Sequence, residues 1–143
     1  MIRRIALVLG AAAFVVVSLL VARWLLVDGT ERGDVEALLR AQLRGDAAGM
    51  ARRLDGCDDA CRARLEALAA RLRRDGELEI VRYDSRTSHA TGPKTAPTRV
   101  VWTAPGTLPT VQCVLVRRTG TALSGPRVTL LRLSAPIGRQ DAC

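Results

Sequence analysis

The feature that most constrains this chain is an apolar run near its N-terminus, from Ile5 to Val27. The first 18 residues of the run carry no charge, and Arg23 is the only charged residue in all of it. A helix that crosses the ~30 Å hydrocarbon core of a bilayer needs roughly 20 apolar residues. The sequence therefore predicts a transmembrane helix over residues 1–27, which stays attached to the chain as a signal anchor.

Charges beside the apolar run predict its orientation. Arg3 and Arg4 precede the run, and basic residues that flank a span tend to stay on the cytoplasmic side. Arg23 lies on the far side and opposes this rule, but its long side chain can reach the interface beside Trp24. We expect a cytoplasmic N-terminus, a linker over 28–33 and an extracytoplasmic domain over 34–143. A cleaved signal peptide is the alternative, although its apolar core is usually only about 7–15 residues long.

The four cysteines support the same compartment. An even number of cysteines in an oxidising environment predicts two disulfides, and we expect Cys57 to pair with Cys61 and Cys113 with Cys143. Residues four apart inside a regular helix are too distant for a relaxed disulfide. The first pairing therefore requires a helix that starts after Cys57, with Asp58 as its N-cap. The spacing fits neither a familiar zinc site nor a Cys-x-x-Cys redox motif.

Beyond the linker, the apolar residues first recur at helical spacing. The pattern predicts a helix over 34–43, a second short helix capped by Asp46, and a third helix from Asp58 to about Asp75. Gly76 follows at a position where a glycine commonly ends a helix.

After Gly76 the apolar period shortens to two residues, which is typical of strands. Four strands are predicted, over 77–84, 98–103, 108–118 and 127–134. Short turns between successive strands favour antiparallel pairing, so the fold class is α+β, with about three helices on one face of a four-stranded sheet. We expect the third helix to pack on a set of apolar strand residues, namely Trp102, Val111, Cys113, Leu115 and Leu130.

The element order and one turn motif resemble a known group of proteins. The stretch VEALLRAQLRGDAAGMARRL contains a Gly45-Asp46 turn between two helices. A single span, this stretch and an antiparallel sheet resemble membrane-anchored proteins with a nuclear-transport-factor-two-like or cystatin-like domain. The chain departs from the fuller pattern, in which strands commonly precede the long helix. The combination also resembles uncharacterised actinobacterial envelope proteins, which implies no known activity.

Catalytic members of that superfamily commonly use an Asp–His pair, or a carboxylate with a tyrosine, in the concave face of the sheet, and no residue here matches such a motif. His89, the single histidine, lies in the polar segment SRTSH, which predicts an exposed loop. Asp58 and Asp59 are explained by the positive end of a helix dipole. We predict no catalytic residue, metal or cofactor.

Net charge suggests where the domain could make contacts. Without Arg3, Arg4 and Arg23, 19 basic and 14 acidic residues remain, a net charge of +5. Such a surface favours anionic lipids or polymers. The candidate ligand or lipid contacts are Arg117, Trp102, Tyr83, Arg71 and Arg74. With only two aromatic residues beyond the apolar run, a base-stacking surface for nucleic acid is not predicted.

These observations predict a non-enzymatic, membrane-anchored extracytoplasmic domain that binds a protein partner or an apolar ligand in the cell envelope. The alternatives are an extracytoplasmic enzyme that uses the concave face of the sheet, and a small envelope-assembly subunit. Polar, titratable residues converging on the concave face would favour the enzyme, and an apolar lining would favour binding.

Overall fold

The computed structural model describes residues 2–87, 93–120 and 127–143, and it describes the side chains of these residues outside 2–8 and 23–28. Helices come first and strands follow, which confirms the α+β class. The elements are α1 (Ile2–Leu43), α2 (Ala47–Arg53), α3 (Asp59–Leu72), β1 (Glu79–Ser85), β2 (Lys94–Thr103), β3 (Thr110–Thr119) and β4 (Arg127–Leu133). The predicted loop position of His89 lies outside the described residues.

The strands form one antiparallel sheet in the order β1-β2-β3-β4, as the short turns predicted. Strand β2 begins at Lys94, four residues before its predicted start, and it runs through Pro97. Proline is tolerated there because β1 pairs with β2 only as far as Thr98, so no neighbour on that side needs the missing N–H. The pairing register shifts between Leu115 and Val116, where β4 carries one extra residue.

The two predicted helix caps are confirmed. The Asp46 carboxylate accepts a hydrogen bond from the Gly49 amide at 2.7 Å and begins α2. The Asp58 carboxylate accepts from the Cys61 amide at 2.7 Å and begins α3. Each bond satisfies an amide that the first turn of a helix leaves without a backbone partner.

The helix that covers the sheet differs from the prediction. The buried stripe of α1, which includes Val35, Leu38 and Leu39, shares one core with Val114 and Val116 of β3. Side chains alternate between the two faces of a strand, so Val111, Cys113 and Leu115 lie on the opposite face. The prediction placed all five strand residues under α3. Only Trp102 and Leu130 share this core with Leu65 and Ala69 of α3, whereas Val111, Cys113 and Leu115 lie outside it.

The predicted N-terminal transmembrane helix is also contradicted. Within the part of the chain that the structure describes, no helix is both long enough and apolar enough to cross a membrane. Helix α1 does not end near Val27 but continues through 28–33, the predicted linker, to Leu43.

Both predicted disulfides are present. Cys57 and Cys61 are bridged with 5.3 Å between their Cα atoms, and Cys113 and Cys143 with 5.7 Å. Cys57 lies outside α3, which begins at Asp59, so the first bridge joins the preceding turn to the first helical turn. Two disulfides are typical of an oxidising, extracytoplasmic environment.

Candidate functional site

The two aromatic residues proposed as contacts are part of the protein interior. Trp102 is only 2% exposed, and its indole Nε1 donates to Gln112 Oε1 at 2.7 Å. Tyr83 is half-buried, and its hydroxyl donates to Glu31 Oε1 at 2.8 Å. Their polar atoms are therefore used inside the fold.

The three arginines proposed as contacts lie in different places. Arg74 closes the end of α3, where its guanidinium donates to the Arg73 carbonyl at 2.6 Å. Arg117 lies on the outer face of the sheet, with 3.8 Å between its Nη1 and Asp55 Oδ2. Arg71 lines a groove described below. The structure does not bring these residues together.

A buried carboxylate, Glu31, lies between α1 and the sheet, and its side chain is fully buried. Oε1 accepts from the hydroxyls of Tyr83 and Thr98, each at 2.8 Å. Oε2 accepts from Thr87 Oγ1 at 2.6 Å and from Arg118 Nε at 2.8 Å, with Arg118 Nη2 at 2.7 Å. We call these five residues the Glu31 cluster.

The surroundings of Glu31 set its charge. Burial alone would raise the pKa of the Glu31 carboxyl, but hydrogen bonds from Thr87, Ser85, Thr98 and Tyr83 together lower it. Burial and then the negative charge of Glu31 raise the pKa of the Tyr83 hydroxyl. The cluster therefore holds an ionised carboxylate against a neutral tyrosine. With both oxygens hydrogen-bonded and no exposed surface, Glu31 fixes α1 on the sheet and offers no accessible atom to a ligand.

Glu31 was missed because residues 28–33 were predicted to be a linker. The signal is nevertheless in the sequence, since Glu31, Val35, Leu38, Leu39 and Gln42 recur at the spacing of one helix face. All five are fully buried. The stripe is apolar in the middle and polar at both ends.

The other end of the stripe forms a second polar contact with the sheet. The side-chain amides of Gln42 and Gln112 donate to each other at 3.0 and 3.1 Å. Gln112 also accepts from Trp102 and donates to the Ser134 carbonyl at 3.0 Å. We call Gln42, Gln112 and Trp102 the amide cluster. It contains no charge, and each hydrogen-bonding site of the Gln112 amide has a partner.

An open groove of about 1090 Å³ lies between α3, the β4 edge of the sheet and the C-terminal tail. Its lining includes Cys61 of the first disulfide and both cysteines of the second, so covalent bridges stiffen two of its walls. The half-buried apolar side chains that line it include Leu68, Leu115, Leu131 and Ile137.

The charged groups of the groove are mostly basic. Arg64, Arg71 and Arg132 line it and are exposed, and none of them forms an ion pair with another described residue. Asp58 is the acidic residue in the lining, and its carboxylate already caps α3. The groove therefore presents apolar surface flanked by three guanidinium groups.

The described residues contain no group of three or more His, Cys, Asp or Glu side chains arranged to hold a metal ion.

The chain matches no family model, and neither a curated protein nor a solved structure is significantly similar to it. The resemblance to nuclear-transport-factor-two-like and cystatin-like domains accordingly stays a prediction, and the site must be judged on its own geometry.

Proposed function

We propose that this chain is a non-enzymatic extracytoplasmic domain that binds a segment of a partner protein in the groove between α3 and the β4 edge. One observation carries the proposal: the groove combines half-buried apolar side chains with rigid, disulfide-bonded walls. Exposed apolar surface with a polar rim commonly marks an interaction site.

The shape of the groove favours a protein segment over a small apolar ligand. Small-molecule sites usually enclose 70–90% or more of the ligand surface. This groove is open to solvent along one side and follows α3, which is 14 residues or about 21 Å long. An elongated, open site suits a chain segment that lies along the helix.

The enzyme alternative is less well supported. It required titratable side chains lining an accessible concave face, whereas the titratable side chains of the Glu31 cluster lie beneath α1. The described ionisable groups of the Glu31 cluster bond to one another there, and Glu31 has no exposed surface to offer a substrate. A general base must come within hydrogen-bond reach of the proton that it removes.

Site-specific photocrosslinking tests the proposal. p-Benzoylphenylalanine would replace Ala67, an exposed residue of the groove, in the cells that produce the chain. The matched control places the same group at Glu66, which is exposed on the same helix but turned about 100° away. We expect a discrete protein adduct from position 67 and none from position 66.

A second substitution ties the adduct to the groove. Leu115→Asp adds a charge to the groove without touching the helix-covered core, so it should remove the adduct while the circular dichroism spectrum stays unchanged. Equal crosslinking from both positions, or none from position 67, would contradict partner binding in the groove.

Thiol labelling of intact cells tests the proposed extracytoplasmic location. A membrane-impermeant maleimide applied to intact cells should label the four cysteines only after an extracellular reductant has opened the two bridges. Labelling that requires cell lysis but no reductant would contradict an extracytoplasmic location.

A further inference from the structure

We propose that the segment bound in the groove is acidic and apolar, an extended stretch in which hydrophobic side chains alternate with carboxylates. This inference rests on the proposed function and adds the chemistry of the partner. It follows from the charges at the groove, their spacing and the apolar surface between them.

The charges are complementary to carboxylates. Three exposed guanidinium groups, those of Arg64, Arg71 and Arg132, flank the groove without an ion-pair partner among the described residues. Arginine binds carboxylates in a planar, bidentate geometry, so each of the three offers a specific pair of hydrogen-bond donors rather than diffuse positive charge. The single acidic residue of the lining, Asp58, is occupied by the Cys61 amide.

The spacing of the arginines favours a segment that lies along α3. Arg64 and Arg71 are seven residues apart, so they share one face of the helix and are separated by about 10.5 Å along its axis. An extended chain advances roughly 3.3 Å per residue, so carboxylates four residues apart in an alternating segment lie about 13 Å apart. The long, flexible arginine side chains can take up the difference of about 3 Å. Seven extended residues would cover about 23 Å, close to the length of α3.

The apolar surface between the arginines favours a bound segment that carries apolar side chains in addition to negative charge. Leu68 lies between them on α3, and Leu115 and Ile137 face the groove from the sheet and the tail. A purely polar anion would leave this surface in water, whereas alternating apolar side chains would bury it at roughly 25 cal/mol per Å². The three arginines and the apolar surface between them therefore favour a segment that carries both carboxylates and apolar side chains.

Fluorescence anisotropy with the full-length, disulfide-bonded chain and three labelled heptapeptides tests the inference. The first peptide alternates valine and glutamate, the second valine and lysine, and the third serine and glutamate. We expect the first to bind at least tenfold more tightly than either of the others. Because exposed charges are screened by salt, this preference should shrink between 50 and 500 mM NaCl.

A charge-reversal pair locates the interaction. Arg64→Glu with Arg71→Glu should abolish binding of the valine–glutamate peptide and create binding of the valine–lysine peptide. The matched control, Arg44→Glu with Arg86→Glu, makes the same change of net charge at exposed residues outside the groove and should leave the preference unchanged.

Each other outcome overturns the inference. Equal or absent binding of the first two peptides would exclude acidic recognition, and equal binding of the serine–glutamate peptide would show that any polyanion suffices. Unchanged selectivity after reversal at Arg64 and Arg71 would place binding elsewhere. A crosslinked adduct from position 67 without any acidic preference would overturn this inference alone and leave partner binding in the groove standing.

Discussion

The contact between α1 and the sheet is polar at both ends, but the two ends are built differently. At the Glu31 cluster an ionised carboxylate with no exposed surface contacts the guanidinium of Arg118, a residue that is 7% exposed, and three hydroxyls donate to the carboxylate. At the amide cluster, neutral groups of Gln42, Gln112 and Trp102 bond to one another. Between the ends lies a purely apolar stretch that includes Val35, Leu38 and Leu39.

Buried polar groups perform two tasks in this contact: they fix the position of α1, and at one end they hold a charge pair. Both clusters fix the position of the helix on the sheet, because sliding α1 by one turn would leave several buried polar atoms without partners. The Glu31 cluster also holds a charge pair, and breaking such a pair costs more than breaking a neutral one. The groove differs from both, because its arginines are exposed and its apolar side chains are only half-buried.

The largest expected effect comes from breaking the charge pair. Glu31→Gln keeps the shape of the side chain but removes the negative charge that contacts the Arg118 guanidinium. We expect a loss of about 3–5 kcal/mol in the free energy of unfolding, measured by urea denaturation of the disulfide-bonded protein. Glu31→Leu combined with Arg118→Met should recover much of that loss, since it removes both charges. A loss below about 1 kcal/mol for Glu31→Gln would mean that the carboxylate is not buried as described.

The disulfide beside the amide cluster gives the next effect. Cys143→Ser opens a bridge that encloses a sequence separation of 30 residues, and we expect a loss of about 2–4 kcal/mol together with one additional free thiol. Trp102 fluorescence, read in a Trp24→Phe background, should keep its emission wavelength in the native state because the Gln112 bonds do not depend on the bridge. A red-shifted emission would show that the tail and the amide cluster are one unit.

Substitutions in the amide cluster should have smaller, graded effects. Gln112→Leu leaves Gln42, Trp102 and the Ser134 carbonyl without a partner, whereas Gln42→Leu leaves Gln112 its bonds to Trp102 and Ser134. We expect losses of about 1–3 kcal/mol, with Gln112→Leu the larger. The same urea titration measures both, and the reverse order would contradict the central position of Gln112.

The smallest effect is a difference in pH dependence. Since the folded pKa of the Glu31 carboxyl is lower than its ordinary value of 4.5, the unfolded chain binds the proton more readily. The stability that the carboxylate contributes is therefore complete above pH 4.5 and is lost as the pH falls below that value. Unfolding free energies measured from pH 6 to pH 3 should decline less steeply for Glu31→Gln than for the wild type. Gln112→Leu, which removes no titratable group, should keep the wild-type slope.

The sequence was most informative where a local pattern decides the structure. The caps Asp46 and Asp58, both disulfides and the four antiparallel strands follow from short-range rules and are confirmed. The start of β2 was missed because Pro97 suggested a loop. Only the pairing with β1, which ends at Thr98, explains why a proline fits there.

The errors in α1 have a common cause. A run of apolar residues followed by the polar stretch DGTERG favours a break, and the sequence does not show that Glu31 would find Arg118 across the fold. A charged residue on a buried helix face is stable only when other residues neutralise its charge. Those residues are distant in the sequence and come close only in the folded structure. The groove was missed for the same reason, because α3, β4 and the tail meet only after folding, and Arg71 alone among the predicted contacts lines it.

We propose binding in the groove and not on the helix-covered face of the sheet. An NMR titration of ¹⁵N-labelled, disulfide-bonded protein with the valine–glutamate heptapeptide tests it most directly. We expect amide shift changes in residues 64–71 and 131–134, with Tyr83, Thr87 and Thr98 unaffected. Changes centred on the Glu31 cluster, with the groove unaffected, would contradict it.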